Sequence, residues 1–494
     1  MKAVRPVLLA LLLGAAPACT SGGGGGPTVT TVPAPNWPKF RHDQSNSGLG
    51  GGLVETNPGA IKWQVEIDQA APAAPISSSP AVDADGTIYI GTEGGTLAAV
   101  DPLDGTLKWS TASCDFTGGN DVHACSAGSH PLGAIISSPA IFTFNSRTSI
   151  FIGSADGRFF TFEDDGVTRT CSVCFQPVDA DVAPDATITS SRFISSPTFF
   201  TSTLTGAVAG IFLGAEITVM QGEGSRTLGK LYALNTDGSL KWQFPQPSDA
   251  GEIGGITSSP ALGVANTLYF LAADDNLYAV TSGGTFKWKF PAGTARDPSA
   301  PFATSPLTST LIYTGTAAGA IVAINPDGTF RWQVTSPDQS ALVSSLAIGL
   351  PAATTPTPIP TLAPTATQEP AATATPTVTP TPVPANQAVF GVTTSGMVIV
   401  INTFTGEIQE LTGPLAPIAG PVMSSPALSA DSFLVLGTSD GTLHAVNTTT
   451  GAEPSGWPVR LAEGVAIRSS PAIARDGTVY VGGDDGKLYA VGVP

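Results

Sequence analysis

The sequence predicts an all-β fold, an eight-bladed β-propeller of four-stranded antiparallel blades, and three observations support it. A unit that opens with Ser-Ser-Pro recurs eight times along the chain. Each unit consists of short apolar runs separated by Asp-Gly or similar tight turns, which is the pattern of antiparallel hairpins. The first unit is also preceded by one strand too many, and the last unit is one strand short.

The repeat is read most easily from the positions of its opening tripeptide. Six copies read Ser-Ser-Pro, at residues 78–80, 137–139, 195–197, 258–260, 424–426 and 469–471, and degenerate copies stand at 304–306 and 344–346. Four-stranded units with a period of roughly 40–50 residues are typical of propeller blades. Because the serines recur in every unit and are mostly followed by proline, we interpret them as scaffold and predict no catalytic residue among them.

Closure of the ring is predicted from its two ends. The last unit, residues 469–492, has three strands, whereas residues 61–65 supply an additional copy of the fourth strand. The N-terminal strand should therefore pair in the last blade, which would also remove exposed sheet edges.

A Pro/Thr-rich stretch, residues 351–384, interrupts the repeats and is predicted to be disordered with polyproline II bias. Since a unit opens at 344–347 and continues at 388–392, the stretch is an insertion within blade six and not a linker between domains. A spacer, an O-glycosylated arm, a docking peptide and a tolerated surface insertion all remain open.

The N-terminus reads as an export signal. Residues 1–18 have a basic start and a short apolar run, too short to span a membrane, and they end in small residues before Cys19. This end resembles the lipobox of bacterial lipoproteins, which implies lipidation of Cys19; an ordinary signal peptide is the alternative. Residues 19–36, rich in Gly, Pro and Thr, would form a tether, and residues 37–494 the propeller.

Composition and charge argue against several classes of partner and fold. The formal net charge of −17 argues against nucleic acid and anionic lipid as main partners. Only 12% of residues are charged, while 56 glycines and 43 prolines indicate many turns, so a helical bundle is unlikely on these numbers. No metal-binding residue is predicted.

The units resemble the repeats of the pyrroloquinoline-quinone (PQQ)-type β-propellers, through sets such as Ala99-x-Asp101 with Gly105 and Trp109. Residues 37–43 and Gly48 resemble the N-terminal segment of that family. By this resemblance, a repeated tryptophan docks each blade on the next, a role that fits Trp63, Trp109, Trp242, Trp288 and Trp332.

The resemblance implies one of two functional classes. Quinoprotein dehydrogenases bind PQQ and Ca²⁺ in the central funnel, whereas non-catalytic members, including an outer-membrane assembly lipoprotein, bind proteins. The chain is similar to the second class because it lacks an adjacent Cys-Cys pair, is short, and has a candidate lipid anchor. We expect a monomeric scaffold without a cofactor, anchored in a bacterial membrane at the periplasmic face of the outer membrane. A PQQ/Ca²⁺ oxidoreductase and a carbohydrate- or cell-wall-binding propeller are the alternatives.

Four cysteines besides Cys19 fall in blades one and two: Cys114, Cys125, Cys171 and Cys174. In an extracytoplasmic protein they predict disulfides, but four cysteines allow three connectivities. A Cys114–Cys125 bridge could pin the loop after Trp109. A redox-active CxxC at 171–174 and a zinc site of the four cysteines, with His123 as a further ligand, are the alternatives.

The connections between blades are long early in the chain, at residues 110–136, 176–194, 245–257 and 291–303. Loops on a rigid scaffold commonly carry function, so this side of blades one to four is the candidate partner surface. Its acidic residues suit a basic or neutral protein partner: Asp115, Asp121, Asp179, Asp181 and Asp185.

Overall fold

The structure, a computed structural model, describes residues 37–68, 73–119, 121–202, 205–246, 251–291, 305–316, 318–349, 387–409, 418 and 421–493. The signal peptide, Cys19, the tether and residues 351–384 lie outside this part of the chain, so those predictions stay predictions. Within the described part, helices of a length and apolarity that could cross a membrane are absent.

The predicted eight-bladed propeller is confirmed, with antiparallel strands paired in chain order within each blade except the last, whose fourth strand comes from the N-terminal side. Blades one to four comprise Ala81–Val82, Ile88–Gly91, Leu97–Val100 and Leu107–Thr111; Ala140–Phe144, Arg147–Gly153, Phe159–Asp164 and Arg169–Phe175; Thr198–Thr201, Val208–Gln221, Gly224–Leu234 and Leu240–Phe244; and Ala261–Gly263, Thr267–Ala272, Asn276–Thr281 and Phe286–Pro291.

Blades five to eight comprise Leu307–Thr308, Ile312–Gly315, Ala320–Ile324 and Phe330–Thr335; Ala347–Gly349, Ala388–Val392 and Val398–Asn402; Ala427–Leu428, Phe433–Gly437, Thr442–Asn447 and Val459–Arg460; and Ala472–Ile473, Val479–Gly482, Lys487–Gly492 and Ala60–Glu66. In blade six, an isolated bridge between Ile401 and Ile408 stands where the other blades have a fourth strand.

Five further elements of the described chain lie outside the repeat. Ser113–Phe116 and Gly128–Pro131 form a hairpin between blades one and two, and Ala186–Arg192 adds a fifth strand to blade three. Two short 3₁₀ helices span Asp179–Asp181 and Val264–Asn266. All but the second 3₁₀ helix belong to the long early connections, so the described additions to the ring concentrate at blades one to three.

Ring closure follows the prediction. Ala60–Glu66 pairs antiparallel with Lys487–Gly492, with Ala60 opposite Gly492 and Glu66 opposite Lys487. The first repeat-like strand of the chain therefore completes the last blade.

The strands on either side of residues 351–384 belong to one blade. Ala347–Gly349 pairs with Ala388–Val392, and Ala347 stands opposite Phe390. Two separate rings on either side of this stretch are therefore ruled out, as the repeat register indicates.

The core lies between neighbouring blades. The second and third strands of blade one, Ile88–Gly91 and Leu97–Val100, are buried at every position, whereas its fourth strand, Leu107–Thr111, alternates between half-buried and exposed residues. This difference arises because inner strands are covered on both faces by adjacent blades, and such strands read as continuous apolar runs.

Tryptophans of the fourth strands pack against the next blade. The Trp288 indole donates to the Pro326 carbonyl at 3.0 Å, and its ring lies 2.7 Å from where a Cβ on Gly328 would stand. Gly328 has a φ of +88°, so glycine is required there for both space and backbone conformation. Trp63, Trp242 and Trp332 lie against Gly105, Gly284 and Gly406 in the same manner. Trp109 differs, because its indole donates to the Asp164 carboxylate at 2.8 Å.

Candidate functional site

The second serine of every repeat takes part in one closed ring of hydrogen bonds around the propeller axis. Each backbone N–H donates to the Oγ of the equivalent serine in the next blade, at 2.9–3.1 Å, and the N–H of Ser470 donates to Ser79 Oγ at 2.9 Å to close the ring. The ring members are Ser79, Ser138, Ser196, Ser259, Ser305, Ser345, Ser425 and Ser470. The serine repeat therefore joins the eight innermost strands and is structural.

In blades two and four, the first serine of the repeat bonds within its own blade. Ser137 Oγ accepts from the N–H of Gly153 at 2.8 Å and donates to its carbonyl at 3.0 Å, and Ser258 does the same with Leu271. These bonds tie the chain entering those two blades to their second strands, whereas Ser78 Oγ donates to the Ser137 carbonyl of the next blade at 3.1 Å.

Residues 37–57, here called the N-terminal segment, run across the innermost strands. Its backbone is bonded to Val82 of blade one through Trp37, and carbonyls of the segment accept from first strands of five further blades. These bonds are Ile141 N to Pro38 O, Leu262 N to Gln44 O, Thr308 N to Ser45 O, Ile348 N to Ser47 O and Leu428 N to Gly48 O, at 2.7–2.9 Å. The segment therefore covers one end of the central channel.

Two cations of this segment are 1% exposed, Lys39 and Arg41. Lys39 Nζ donates to Asn46 Oδ1 at 2.6 Å and to the Asp43 carbonyl at 2.9 Å, while burial lowers the pKa of Lys39 to about 7. The Arg41 guanidinium donates to the carbonyls of Pro426 and Leu346. Buried cations persist only with such partners, so both residues tie the segment to the ring. The sequence suggested a family segment here but no role for these residues.

The serine ring lines a small central pocket with a volume of about 30 Å³. Phe40 of the N-terminal segment contributes to its lining, and its wall is built by the residue that precedes each Ser-Ser pair. In the described lining these are Ser77, Ile136, Ile194, Thr257, Val343, Met423 and Arg468. Arg468 binds Asp484 through Nε at 2.9 Å and Nη2 at 2.7 Å, and its Nη1 lies 3.7 Å from Glu93.

The pocket residues do not fit PQQ with Ca²⁺. PQQ is a planar tricarboxylate, which calls for several cations, and Ca²⁺ takes six to eight oxygen ligands, usually carboxylates among them. The only cation in the described lining is Arg468, and it already faces two carboxylates, of Asp484 and Glu93. We therefore derive no reaction through this cofactor.

The four cysteines form two disulfides, Cys114–Cys171 and Cys125–Cys174, each with a Cα–Cα distance of 5.4 Å. The Cys114–Cys125 bridge considered from the sequence is therefore wrong: both bridges cross from the loop after blade one to the fourth strand of blade two. The sulfurs of Cys171 and Cys174 bond to other cysteines and not to each other, which removes the CxxC redox pair. The same bonds leave no thiolate for the zinc alternative.

Backbone pairing supports the disulfides. Ala124 bridges to Phe175, and the N–H of Cys125 donates to the Cys174 carbonyl at 3.1 Å. The loop of residues 112–132, here called the clamped loop, thus covers the outer edge of blade two.

The five predicted acidic residues separate into two groups. Asp115, Asp179 and Asp185 are exposed, although Asp179 accepts from the N–H of Ile188 at 2.8 Å and Asp185 from Gln221 at 2.6 Å. Asp181 is 1% exposed, so its assignment to a partner surface is wrong. Asp121 is half-buried beside it.

Asp121 and Asp181 hold His123 between them. The ring nitrogens of His123 lie 2.8 Å from Asp121 Oδ1 and 2.9 Å from Asp181 Oδ1, and Tyr232 of blade three donates to Asp181 Oδ2 at 2.8 Å. Burial opposes a charged imidazole, but the hydrogen bonds and charges of Asp181 and Asp121 outweigh it and raise the pKa of His123. The N–H of Leu240 in blade three also donates to Asp121. Sequence analysis placed His123 only among possible zinc ligands, because Asp181, the partner that buries it, lies 58 residues away in the chain.

Similarity to known proteins is consistent with this architecture. A family described as outer membrane protein assembly factor BamB matches residues 49–166, 198–354 and 362–493. No curated protein matches the sequence.

Solved structures share the fold at low identity. A quinohemoprotein alcohol dehydrogenase from Comamonas testosteroni is 13% identical, with a TM-score of 0.57 over 93% of this chain and 81% of that one. A europium-containing methanol dehydrogenase is 12% identical, with a TM-score of 0.55 over 94% and 99%. BamB from Moraxella catarrhalis is 15% identical, with a TM-score of 0.48 over 87% and 96%.

At such identities the two dehydrogenase structures, with TM-scores above 0.5, show the fold alone, whereas the family match covers most of the chain. Together with the eight registered repeats and the closed ring, it shows that this chain belongs to the PQQ-like β-propeller family described as outer membrane protein assembly factor BamB.

Proposed function

We propose that this chain is a non-catalytic, lipid-anchored scaffold that binds a protein partner outside the cytoplasm, in the assembly of outer-membrane proteins. The observation that carries the proposal is the clamped loop. Two disulfides, a backbone bridge and a buried His–carboxylate group hold this loop in one conformation. A loop that is already ordered loses less conformational entropy when a partner binds. The ordering of this loop therefore favours a role in binding.

The exposed part of this region has the chemistry of a binding surface. Asp115 and Val122 are both exposed in the clamped loop, Val122 at 74%, and Asp185 is exposed on the following connection between blades. An apolar side chain among acidic residues suits a partner with basic and apolar side chains. The description of the family as an outer membrane protein assembly factor supports a protein partner in general.

The central pocket also supports a non-catalytic role. Its single described cation is bound by carboxylates, and its serines are used in the ring of hydrogen bonds. These features favour a structural centre with function on the periphery.

The experiment is a cross-linked recovery of partners from native membranes with the full-length lipoprotein. Asp115→Lys and Val122→Glu should reduce recovery of a stoichiometric protein partner, because they reverse the charge and the polarity of the surface. Glu463→Lys is the matched control, since Glu463 is exposed on the connection between blades seven and eight, outside the region. Equal recovery with all three variants would refute the proposed surface.

The same eluate is read by absorbance and by mass spectrometry. A quinone recovered in stoichiometric amount without any protein partner would overturn the scaffold proposal in favour of an oxidoreductase.

A further inference from the structure

Blade three carries an extension that the ring does not need. Its second and third strands, Val208–Gln221 and Gly224–Leu234, are longer than those of the other blades, and Ala186–Arg192 pairs beside their outer part. One face of this extension is core: Ala215, Ile217 and Val219 are fully buried. The residues that alternate with them face the other way.

That opposite face is polar in two registered rows. Thr218 stands between Ser190 on one neighbouring strand and Thr227 on the other. Glu216 stands between Arg192 and Gly229 in the same way. Three hydroxyls therefore lie in one row across three strands, next to a row with a carboxylate and a guanidinium.

A loop turns this face into a cavity of about 420 Å³, within the range of small-ligand sites. Gly254 and Gly255 form its wall, held by bonds from Gly229 N to Ile253 O at 2.8 Å and from Ala273 N to Gly255 O at 2.9 Å. Side chains at these glycines would displace the wall: a Cβ on Gly229 would lie 2.0 Å from the Gly254 carbonyl, and one on Gly255 would lie 2.8 Å from Glu216.

The two charges of the cavity balance each other. The Glu216 side chain is 10% exposed and the Arg192 side chain is 47% exposed, and they carry opposite charges, so a ligand with one net charge is attracted by one group and repelled by the other. Arg192 Nη1 lies 3.7 Å from Glu216 Oε2, too far for a direct hydrogen bond, so a ligand hydroxyl can bridge the two groups. The remaining lining offers hydroxyls and backbone groups, with Ala273 as its apolar side chain.

From this geometry we propose that the cavity binds a neutral polyhydroxylated ligand, a saccharide. Its hydroxyls would donate to Glu216, accept from Arg192, and exchange hydrogen bonds with Ser190, Thr218 and Thr227. A saccharide matches this set because each hydroxyl is both donor and acceptor and the molecule brings no charge. The site is separate from the clamped loop and does not depend on the proposed protein partner.

Saturation-transfer NMR and titration on the full mature chain test the proposal. The probes are two neutral tetrasaccharides, one of glucose and one of N-acetylglucosamine, with inorganic phosphate and putrescine as charged competitors. We expect at least one tetrasaccharide to bind and neither ion to compete. Thr227→Val and Ser190→Ala, both at exposed positions, should each weaken binding ~3–10-fold, the usual effect of one lost hydrogen bond.

Thr170→Val is the matched control, because Thr170 is an exposed strand threonine of blade two; it should leave binding unchanged. The proposal is overturned if neither tetrasaccharide binds at millimolar concentration, if phosphate or putrescine displaces the sugar, or if both site variants bind as wild type does. A failure to recover a protein partner would leave these outcomes unaffected, so the two proposals fail separately.

Discussion

Two blade interfaces differ in the residue that covers the turn glycine of the next blade. One lies between blades four and five, the other between blades two and three. At the first, Trp288 covers Gly328 and donates to Pro326. At the second, Val173 stands in the tryptophan's place, 2.3 Å from where a Cβ on Gly238 would lie. A valine fills less space and donates no hydrogen bond.

The second interface is supported from outside the repeat. The clamped loop reaches from blade two to blade three, where Asp121 accepts from Leu240 and the His123–Asp181 pair binds Tyr232. His123 also stacks on Phe175 of blade two, with ring centroids 5.2 Å apart. The comparison shows that a degenerate repeat can be stabilised by a disulfide-bonded loop, so loss of a repeat residue here does not mean a weak interface.

The largest effect is expected where a tryptophan-docked interface also closes the ring. Deletion of residues 61–67 removes the strand paired with Lys487–Gly492 and the Trp63 contact with Gly105. It should cost more than the ~3–5 kcal/mol typical of truncating one buried aromatic. Thermal unfolding followed by circular dichroism checks this, and a melting temperature within a few degrees of wild type would show that closure by this strand is wrong.

The next largest effect is expected from truncating the residues that dock one blade on the next, Trp288 and Val173. Trp288→Ala should lower the free energy of unfolding by ~3 kcal/mol, and Val173→Ala by ~1–2 kcal/mol, because less apolar surface is lost and the clamped loop remains. Denaturant midpoints with unchanged m-values give both numbers. An equal or greater loss for Val173→Ala would contradict the shared support at blades two and three.

Removal of the Cys125–Cys174 disulfide tests whether the clamped loop stabilises the interface between blades two and three. Cys125→Ala/Cys174→Ala should cost ~2–4 kcal/mol, the usual contribution of a disulfide. Amide hydrogen exchange should show the lost protection in blades one to three, while the strands around Trp288 keep theirs. Uniform loss around the ring would mean that the bridge does not act locally.

The smallest effect is pH-dependent, on the order of 1 kcal/mol, which is the net contribution of a typical hydrogen bond. Because the folded-state pKa of His123 is raised, its contribution is fully present below the unfolded value of 6.5 and is lost as pH rises through the folded pKa. Wild type should therefore lose stability relative to His123→Gln over that window. Parallel stability curves for the two proteins from pH 5 to 9 would refute the assignment.

The sequence allowed prediction of what repeats and not of what departs from the repeat. The blade number, the closing strand and the single blade around residues 351–384 follow from a pattern that each unit displays within itself. The position of Asp181 was wrong because an aspartate in a loop is expected in solvent, and its partners His123 and Tyr232 lie 58 and 51 residues away. Contacts between residues so far apart in the chain leave no local sequence pattern from which they can be predicted.

Contacts with distant parts of the chain also explain the burial of two cations near the axis of the ring. Lys39 and Arg41 look like surface cations in the sequence, yet Arg41 bonds a carbonyl 385 positions away. Their burial is set by the assembled ring and not by their neighbours in the chain.

The N-terminal segment has a consequence for biosynthesis. Asn57 donates to the carbonyls of Gly477 and Val491, the latter 434 positions downstream, so the first part of the propeller to be synthesised is paired with the last. Contacts of such high sequence separation form slowly. The ring therefore cannot close until the C-terminal blade has been synthesised.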